Sequence, residues 1–247
     1  MDKVVVITGS SSGIGAALAD RLTACGASVV LVARRAAALE EVAKRGRKSF
    51  PIVADVTRRA DVRRVVDEVL KRFGRIDVWV NNAGQGITRQ PSELTDEDVD
   101  AMISANVKSA LYGMQETLPH FKSRGEGHIV NISSMLGRIP DVPHRSAYSA
   151  AKHFLNAMTT MFRDEIQQAY PNIRVSLVSP GIVRTEFGLN ARHGGADSRQ
   201  LPNSQTPEEV AGVIADVIES RKPDVYTRRG ARDRVAAHYA SIGEDPT

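Results

Sequence analysis

Cysteine is almost missing. Cys25 is the single one in 247 residues, which excludes an internal disulfide framework. Long apolar runs are missing too: no window approaches the roughly 18 consecutive apolar residues of a membrane-spanning helix. The chain runs from Met1-Asp2-Lys3 straight into "VVVITG", without the charged and apolar regions of a secretory leader. A cytoplasmic protein that does not enter membranes is the expectation. The six histidines, at 120, 128, 144, 153, 193 and 238, show no paired ligand spacing, so no metal site is expected. His144 and His193 read as ordinary polar loop residues. Charge of one sign is also scarce, with 33 Lys plus Arg against 29 Asp plus Glu, a net +4. No basic tract with interleaved aromatics stands out, so a nucleic-acid surface is not expected. The doublets Arg34-Arg35, Arg58-Arg59 and Arg228-Arg229 read as solvated charges or local anion sites. Linkers, repeats and low-complexity stretches are absent, and residues 1–247 read as a single domain.

What is present alternates in a regular way. "KVVVIT", "SVVLVA", "SFPIVA", "IDVWV", "HIVNI" and "RVSLV" are short, rich in Val and Ile, and apolar at consecutive positions, the mark of strands covered on both faces. Between them, residues 13–25, 58–73, 96–123, 147–169 and 207–220 carry apolar residues at three- and four-residue spacing, with "DEDV" and "TPEE" as acidic helix starts. The fold class expected is α/β, a Rossmann-like doubly wound parallel sheet with helices on both faces. One segment breaks the rhythm. Residues 186–206 are mostly polar, and an irregular connection of about 20 residues in a compact domain is either a substrate lid or disordered. Residues 240–247 read as a flexible tail.

The first strand ends in "TGSSSGIG". Gly9, Gly13 and Gly15 there permit positive φ and close approach of a pyrophosphate, with the helix N–H groups and dipole facing the anion. Ser11 and Ser12 add hydroxyl donors, and Ile14 lies between the last two glycines. A plain Gly/Ser turn is the bland alternative. The position between strand and helix makes it a dinucleotide site. The second strand ends in Arg34-Arg35, and the nearest acid is Glu40. A guanidinium grips a 2′-phosphate and a carboxylate repels one, so NADP is expected in preference to NAD.

"TGSSSGIG" at 8–15, "NNAG" at 81–84, Asn106 in "ISANVKS", Ser134 in "NISS", "YSAAK" at 148–152 and "PGIVRT" at 180–185 occur together in the order of a short-chain dehydrogenase/reductase. The chain resembles the compact, single-domain branch of that family over about residues 3–220. The resemblance implies that Tyr148 is the general acid and base, that Lys152 lowers its pKa and binds the nicotinamide ribose, and that Ser134 holds the substrate oxygen. Ser133 competes with Ser134, and the spacing to the tyrosine favours Ser134. Asn106 would hold a proton-relaying water near Lys152. Asn81 would brace the sheet, while Asn82, Ala83 and Gly84 flank the adenosine side. Asp55 would accept from the adenine amino group with Val56 against the ring. Pro180 and Gly181 would turn the backbone under the nicotinamide, with Ile182 and Thr185 at its carboxamide and the phosphates.

Physics supports the pair at 148 and 152. Residues four apart on a helix share a face. A free phenol has a pKa of about 10, so work near neutrality needs about three units, or roughly 4 kcal/mol. One cation at about 4 Å supplies that order of energy at an effective dielectric of 20.

The function expected is hydride transfer between NADP(H) and a carbonyl or secondary alcohol. Met135, Leu136, Val142 and His144 are expected along one wall, facing Phe187, Leu189 and Leu201 of the lid. A nucleotide-sugar epimerase or dehydratase would have a substantial C-terminal substrate domain. A catalytically silent NADP-binding sensor on the same fold is the alternative from another class. A homo-oligomer is expected. The short "DVYT" at 224–227 weakens the tetramer interface of the family, and a dimer through helices around 107–122 and 147–168 stays open.

Overall fold

The computed structural model describes residues 2–243. Seven parallel strands form one sheet: β1 (Val4–Thr8), β2 (Ser28–Ala33), β3 (Ser49–Val53), β4 (Val78–Asn81), β5 (Gly127–Ile132), β6 (Ile173–Ser179) and β7 (Asp224–Tyr226). Their spatial order is β3-β2-β1-β4-β5-β6-β7. Consecutive apolar residues serve opposite faces because side chains alternate along a strand. Val5, Ile7, Val29 and Leu31 enter one core cluster, and Val4, Val6, Val30 and Val32 enter the other.

Of the eight α-helices among the described residues, six cover these faces. The first cluster is closed by α1 (Gly13–Ala24), α2 (Ala36–Ala43) and α7 (Pro207–Ser220). The second is closed by α3 (Arg59–Phe73), α5 (Ser109–Arg124) and α6 (Ser146–Ala169). Leu18 and Leu22 of α1 are wholly buried, and truncating such a leucine to alanine costs about 2–5 kcal/mol. The strand β3 is an edge, which is why Pro51 is tolerated there. This is the doubly wound architecture expected from the alternation.

Three differences have local causes. The helix expected over 96–123 is interrupted: α4 (Asp96–Ile103) and α5 are joined by a π-turn at Ser104–Lys108. Two helices, α2 and α8 (Ala231–Ala240), fall outside the expected set. The helix α2 is one short stretch with only Leu39 and Val42 buried, and α8 buries only Ala231, so neither carries an apolar stripe. Of the expected tail at 240–247, residues 244–247 lie outside the described residues. No helix of the described residues is long and apolar enough to cross a membrane.

The strand order changes direction around β1, whose neighbours are β2 and β4. Loops leaving the carboxyl ends of β1 and β4 therefore diverge and open a crevice there. A polar string fixes this part of the sheet. Trp79 Nε1 donates to Asn81 Oδ1 at 2.7 Å, and Asn81 Nδ2 donates to Asn131 Oδ1 at 2.8 Å. Asn131 Nδ2 then donates to Thr159 Oγ1 of α6 at 2.9 Å.

Candidate active site

A cleft of about 1480 Å³ runs along the carboxyl ends of the strands. Its first end is main chain. Gly9 and Gly13 have φ of 66° and 57°, conformations that suit glycine, and they line the cleft with Ser11, Ser12 and Ile14. Gly15 is not on the cleft wall. A Cβ there would stand 2.6 Å from Gly9 O and 2.7 Å from Asn82 Nδ2, so this glycine lets α1 press against the loop. That corrects its expected direct role. Asn82 Nδ2 ties the loop to β4, donating to Thr8 O at 2.9 Å and Gly9 O at 3.1 Å.

At the end of β2, Arg34 and Arg35 line the cleft and are exposed. Arg35 Nη2 donates to Ser11 Oγ at 3.2 Å and Ser12 Oγ at 3.1 Å. Asp55 and Val56 follow on the wall, with Asp55 Oδ1 accepting from Thr57 Oγ1 at 2.7 Å. Ala83, Gly84, Pro180, Gly181, Ile182 and Thr185 also line the cleft. Thr185 reaches the glycine loop, since a Cβ on Gly13 would lie 3.1 Å from its Cγ2.

Further along stand Ser134, Tyr148 and Lys152. Tyr148 is 8% exposed and Lys152 3%. Ser134 begins the turn after β5, and its Oγ accepts from Leu136 N at 3.1 Å, leaving its own hydrogen for another acceptor. Ser133 is occupied, donating to Asn156 Oδ1 at 2.5 Å. The two serines thus differ in their hydrogen bonds, and Ser134, which the spacing favours, is the one whose hydroxyl hydrogen is not committed to Asn156.

The electrostatics differ from the expectation. Lys152 Nζ donates to Ile132 O at 2.9 Å and stands 5.6 Å from the centroid of the Tyr148 ring, over the ring face. Burial pushes the Tyr148 phenol up to about 12, opposed by the Ser134 hydroxyl and the Arg145 cation. Burial also pushes the Lys152 ammonium down to about 8. Arg145, which sequence reasoning did not single out, is thus a cation that acts to draw the phenol down. It sits three residues before the tyrosine and donates from Nη1 to Ile87 O at 3.0 Å.

Asn106 stands behind the cleft wall, where a Cβ on Gly84 would lie 2.8 Å from its Oδ1 and 3.6 Å from Lys152 Nζ. It lies in the π-turn, is 1% exposed and does not line the cleft. Its Nδ2 donates to Gln85 O at 2.9 Å, and its Oδ1 accepts from Gln85 N at 3.2 Å. The side chain holds the loop after Gly84 rather than facing the reaction space.

The 186–206 segment is folded onto the site. Phe187 meets the Tyr148 ring with centroids 5.5 Å apart. Arg192 N donates to Gly86 O at 2.8 Å, and Thr88 N donates to Arg192 O at 3.0 Å. Asp98 of α4, 0% exposed, anchors the segment. Its Oδ1 accepts from Arg192 Nε at 2.5 Å and pairs with His193 Nε2 at 2.8 Å, while Oδ2 accepts from Arg89 Nη1 at 3.0 Å. Burial acts to raise the Asp98 pKa, but His193, Arg192 and the Thr95 N–H outweigh it and hold the carboxyl well below its ordinary range. Sequence showed Asp98 only as an acidic helix start. His193 proves to be part of this anchor, and His144 lines the cleft together with Met135, Leu136, Val142, Phe187 and Leu201. Leu189 does not.

This sheet, with a glycine loop at one end of the cleft and a buried Tyr-Lys pair at the other, defines a Rossmann-like protein of the oxidoreductase type. A profile described as short chain dehydrogenase matches residues 3–194. An oxidoreductase of Staphylococcus saprophyticus is 38% identical over 220 residues, 86% of this chain and 88% of that protein. The alcohol dehydrogenase of Thermococcus sibiricus, solved with 5-hydroxy-NADP, is similar with a TM-score of 0.79 and 28% identity over 92% of this chain and 96% of its own. The 3-ketoacyl-(acyl-carrier-protein) reductase of Brucella melitensis, solved with NADH, has a TM-score of 0.81 and 29% identity over 92% and 98%. The chain belongs to the short-chain dehydrogenase/reductase family.

Proposed function

We propose that this protein transfers a hydride between NADP(H) and a carbonyl or secondary alcohol, with Tyr148 as the acid and base. The observation that carries the reading is the convergence of Ser134, Tyr148 and Lys152 on the same cleft that the glycine loop lines. Gly9, Gly13, Ser11 and Ser12 would hold the pyrophosphate, and Thr185 would close over it. Asp55 and Val56 would take the adenine, Ala83 and Gly84 the adenosine side, and Pro180, Gly181 and Ile182 the nicotinamide. When bound, the cofactor supplies or accepts the hydride.

The protein's own residues handle the oxygen and the proton. Ser134 donates a hydrogen bond to the carbonyl oxygen, where negative charge develops. As the carbonyl carbon gains the hydride, Tyr148 gives its phenolic proton to that oxygen; in the reverse direction the phenolate takes it back. Lys152 steadies the phenolate and reaches the ribose. Asn106 acts from behind, through the Gln85 loop.

Relatives solved with an NADP derivative and with NADH leave the nucleotide to local chemistry. Arg35 beside Ser11 and Ser12, with Arg34 next to it, favours the 2′-phosphate. A homodimer through α5 and α6 belongs to the same reading. Phe154 and Met161, one heptad apart on α6, are 53% and 62% exposed. A cytoplasmic location fits the sequence.

Tyr148→Phe tests the proposal. Turnover should fall by about 10²–10⁴-fold while NADPH titration by fluorescence keeps its affinity. Equal activity in that variant would remove the tyrosine from the chemistry, and a higher kcat/KM with NADH than with NADPH would reverse the cofactor assignment.

A further inference from the structure

The doublet Arg228-Arg229 follows β7 and has no part in the reaction described above. Both arginines line the cleft. The charge along that wall is unbalanced. Among the described residues three acids line the cleft, Asp55, Asp141 and Glu186. Asp141 pairs with Arg234, and Glu186 stands 3.6 Å from Arg199. Asp224 of β7, the nearest acid in the chain, is gripped by Arg138 Nη2 at 2.6 Å on both oxygens. Asp141, Glu186 and Asp224 are thus each paired with another arginine. Among the described residues its guanidinium has neither an ion pair nor a hydrogen bond, and its Nε is buried without an acceptor.

Its position is as informative as its isolation. A Cβ on Gly181 would lie 3.3 Å from Arg228 Nε and 3.4 Å from its Cδ. The arginine therefore packs on the Pro180-Gly181 turn, the turn assigned to the nicotinamide side of the cleft. Met135, on the substrate wall, lines the same cleft. Arg145 and Lys152, the cations near the reaction space that also lack a carboxylate partner, have committed Nη1 and Nζ to Ile87 O and Ile132 O. Buried donors are rarely left unmatched in native structures, and a charged donor gains most from an anionic acceptor.

We infer that Arg228 is a specificity-determining residue that receives an anionic group, a carboxylate or a phosphate, carried by the carbonyl substrate. The inference rests on the hydride-transfer reading for the identity of the reacting group, and on Arg228 itself for the charge. Arg229, exposed beside it, adds to the local field.

The test uses matched ligands on the whole protein. Oxo-carboxylic acids of increasing chain length, their methyl esters and phosphorylated ketones are titrated by calorimetry into protein saturated with NADP. The same compounds are assayed for turnover with NADPH, using the wild type, Arg228→Gln and Arg228→Lys. The charged member of at least one pair should bind and react about tenfold or more better than its neutral partner. Arg228→Gln should abolish that preference, and Arg228→Lys should retain part of it. Whether acids or phosphates lead the panel identifies the source of the charge. Esters favoured as well as acids throughout, a preference that survives Arg228→Gln, or a variant that weakens NADP rather than the acid would each overturn the inference. Acids that bind through Arg228 but are not reduced would uphold the anion site and overturn hydride transfer. Esters reduced as readily as acids would do the opposite.

Discussion

Around Gly9 and Gly13 the cleft wall is main chain at positive φ, held by Asn82 and packed against α1, whereas around Phe187 it is side chains hung from one buried carboxylate. The first end depends on which residues lack a Cβ, a property each position carries alone. The second depends on Asp98 meeting Arg192 and His193 from almost a hundred residues away, a property that exists only after folding. One end is consequently set by local sequence, and the other by contacts between distant parts of the chain.

This contrast can be broken by substitution at either end. The largest effect is expected for Gly15→Ala, whose methyl must displace Gly9 O or Asn82. Overpacking of this kind costs about 1–3 kcal/mol. Thermal unfolding should report the loss, and NADPH affinity should fall as the loop shifts.

Next comes pH. With the phenol at about 12 and the ammonium at about 8, alcohol oxidation needs a proton removed from Tyr148 and carbonyl reduction needs it kept. The log of kcat/KM for oxidation should climb by about one per pH unit from 6 towards 8, and reduction should stay flat. A flat oxidation profile would mean the phenolate is already formed at pH 6.

Asp98→Asn should then lower kcat/KM by about tenfold through loss of positioning, with NADPH affinity unmoved. A matching loss of cofactor affinity would show that the two ends are not separate. The smallest effect is expected for Arg35→Gln, which should reduce the NADPH-to-NADH preference by about fivefold, the scale of one exposed charge-assisted contact.

The same contrast explains what could be read from the sequence. The strands were legible because both faces of the sheet are buried, so Val5 and Val6 are equally apolar although they serve different cores. The glycine loop and the spacing of Tyr148 and Lys152 were legible because each is local. Helix α8 was not, since an exposed helix leaves no stripe. Arg145 was not singled out and Arg228 was left as either solvated charge or a local anion site, because nothing in their neighbourhood reveals whether an acid will fold back to meet them. Asn106 was found by resemblance, yet its contact with Gln85 follows from the π-turn, which no periodicity announces.

That π-turn has a consequence for how the chain tolerates length changes. A helix carrying one surplus residue can be regularised by removing it. A deletion within 104–108 would rotate Asn106 away from Gln85 and release the strap behind Gly84. Such a variant should hold its helix better and do its chemistry worse, so regular hydrogen bonding and the strap behind Gly84 make opposite demands on the same five residues.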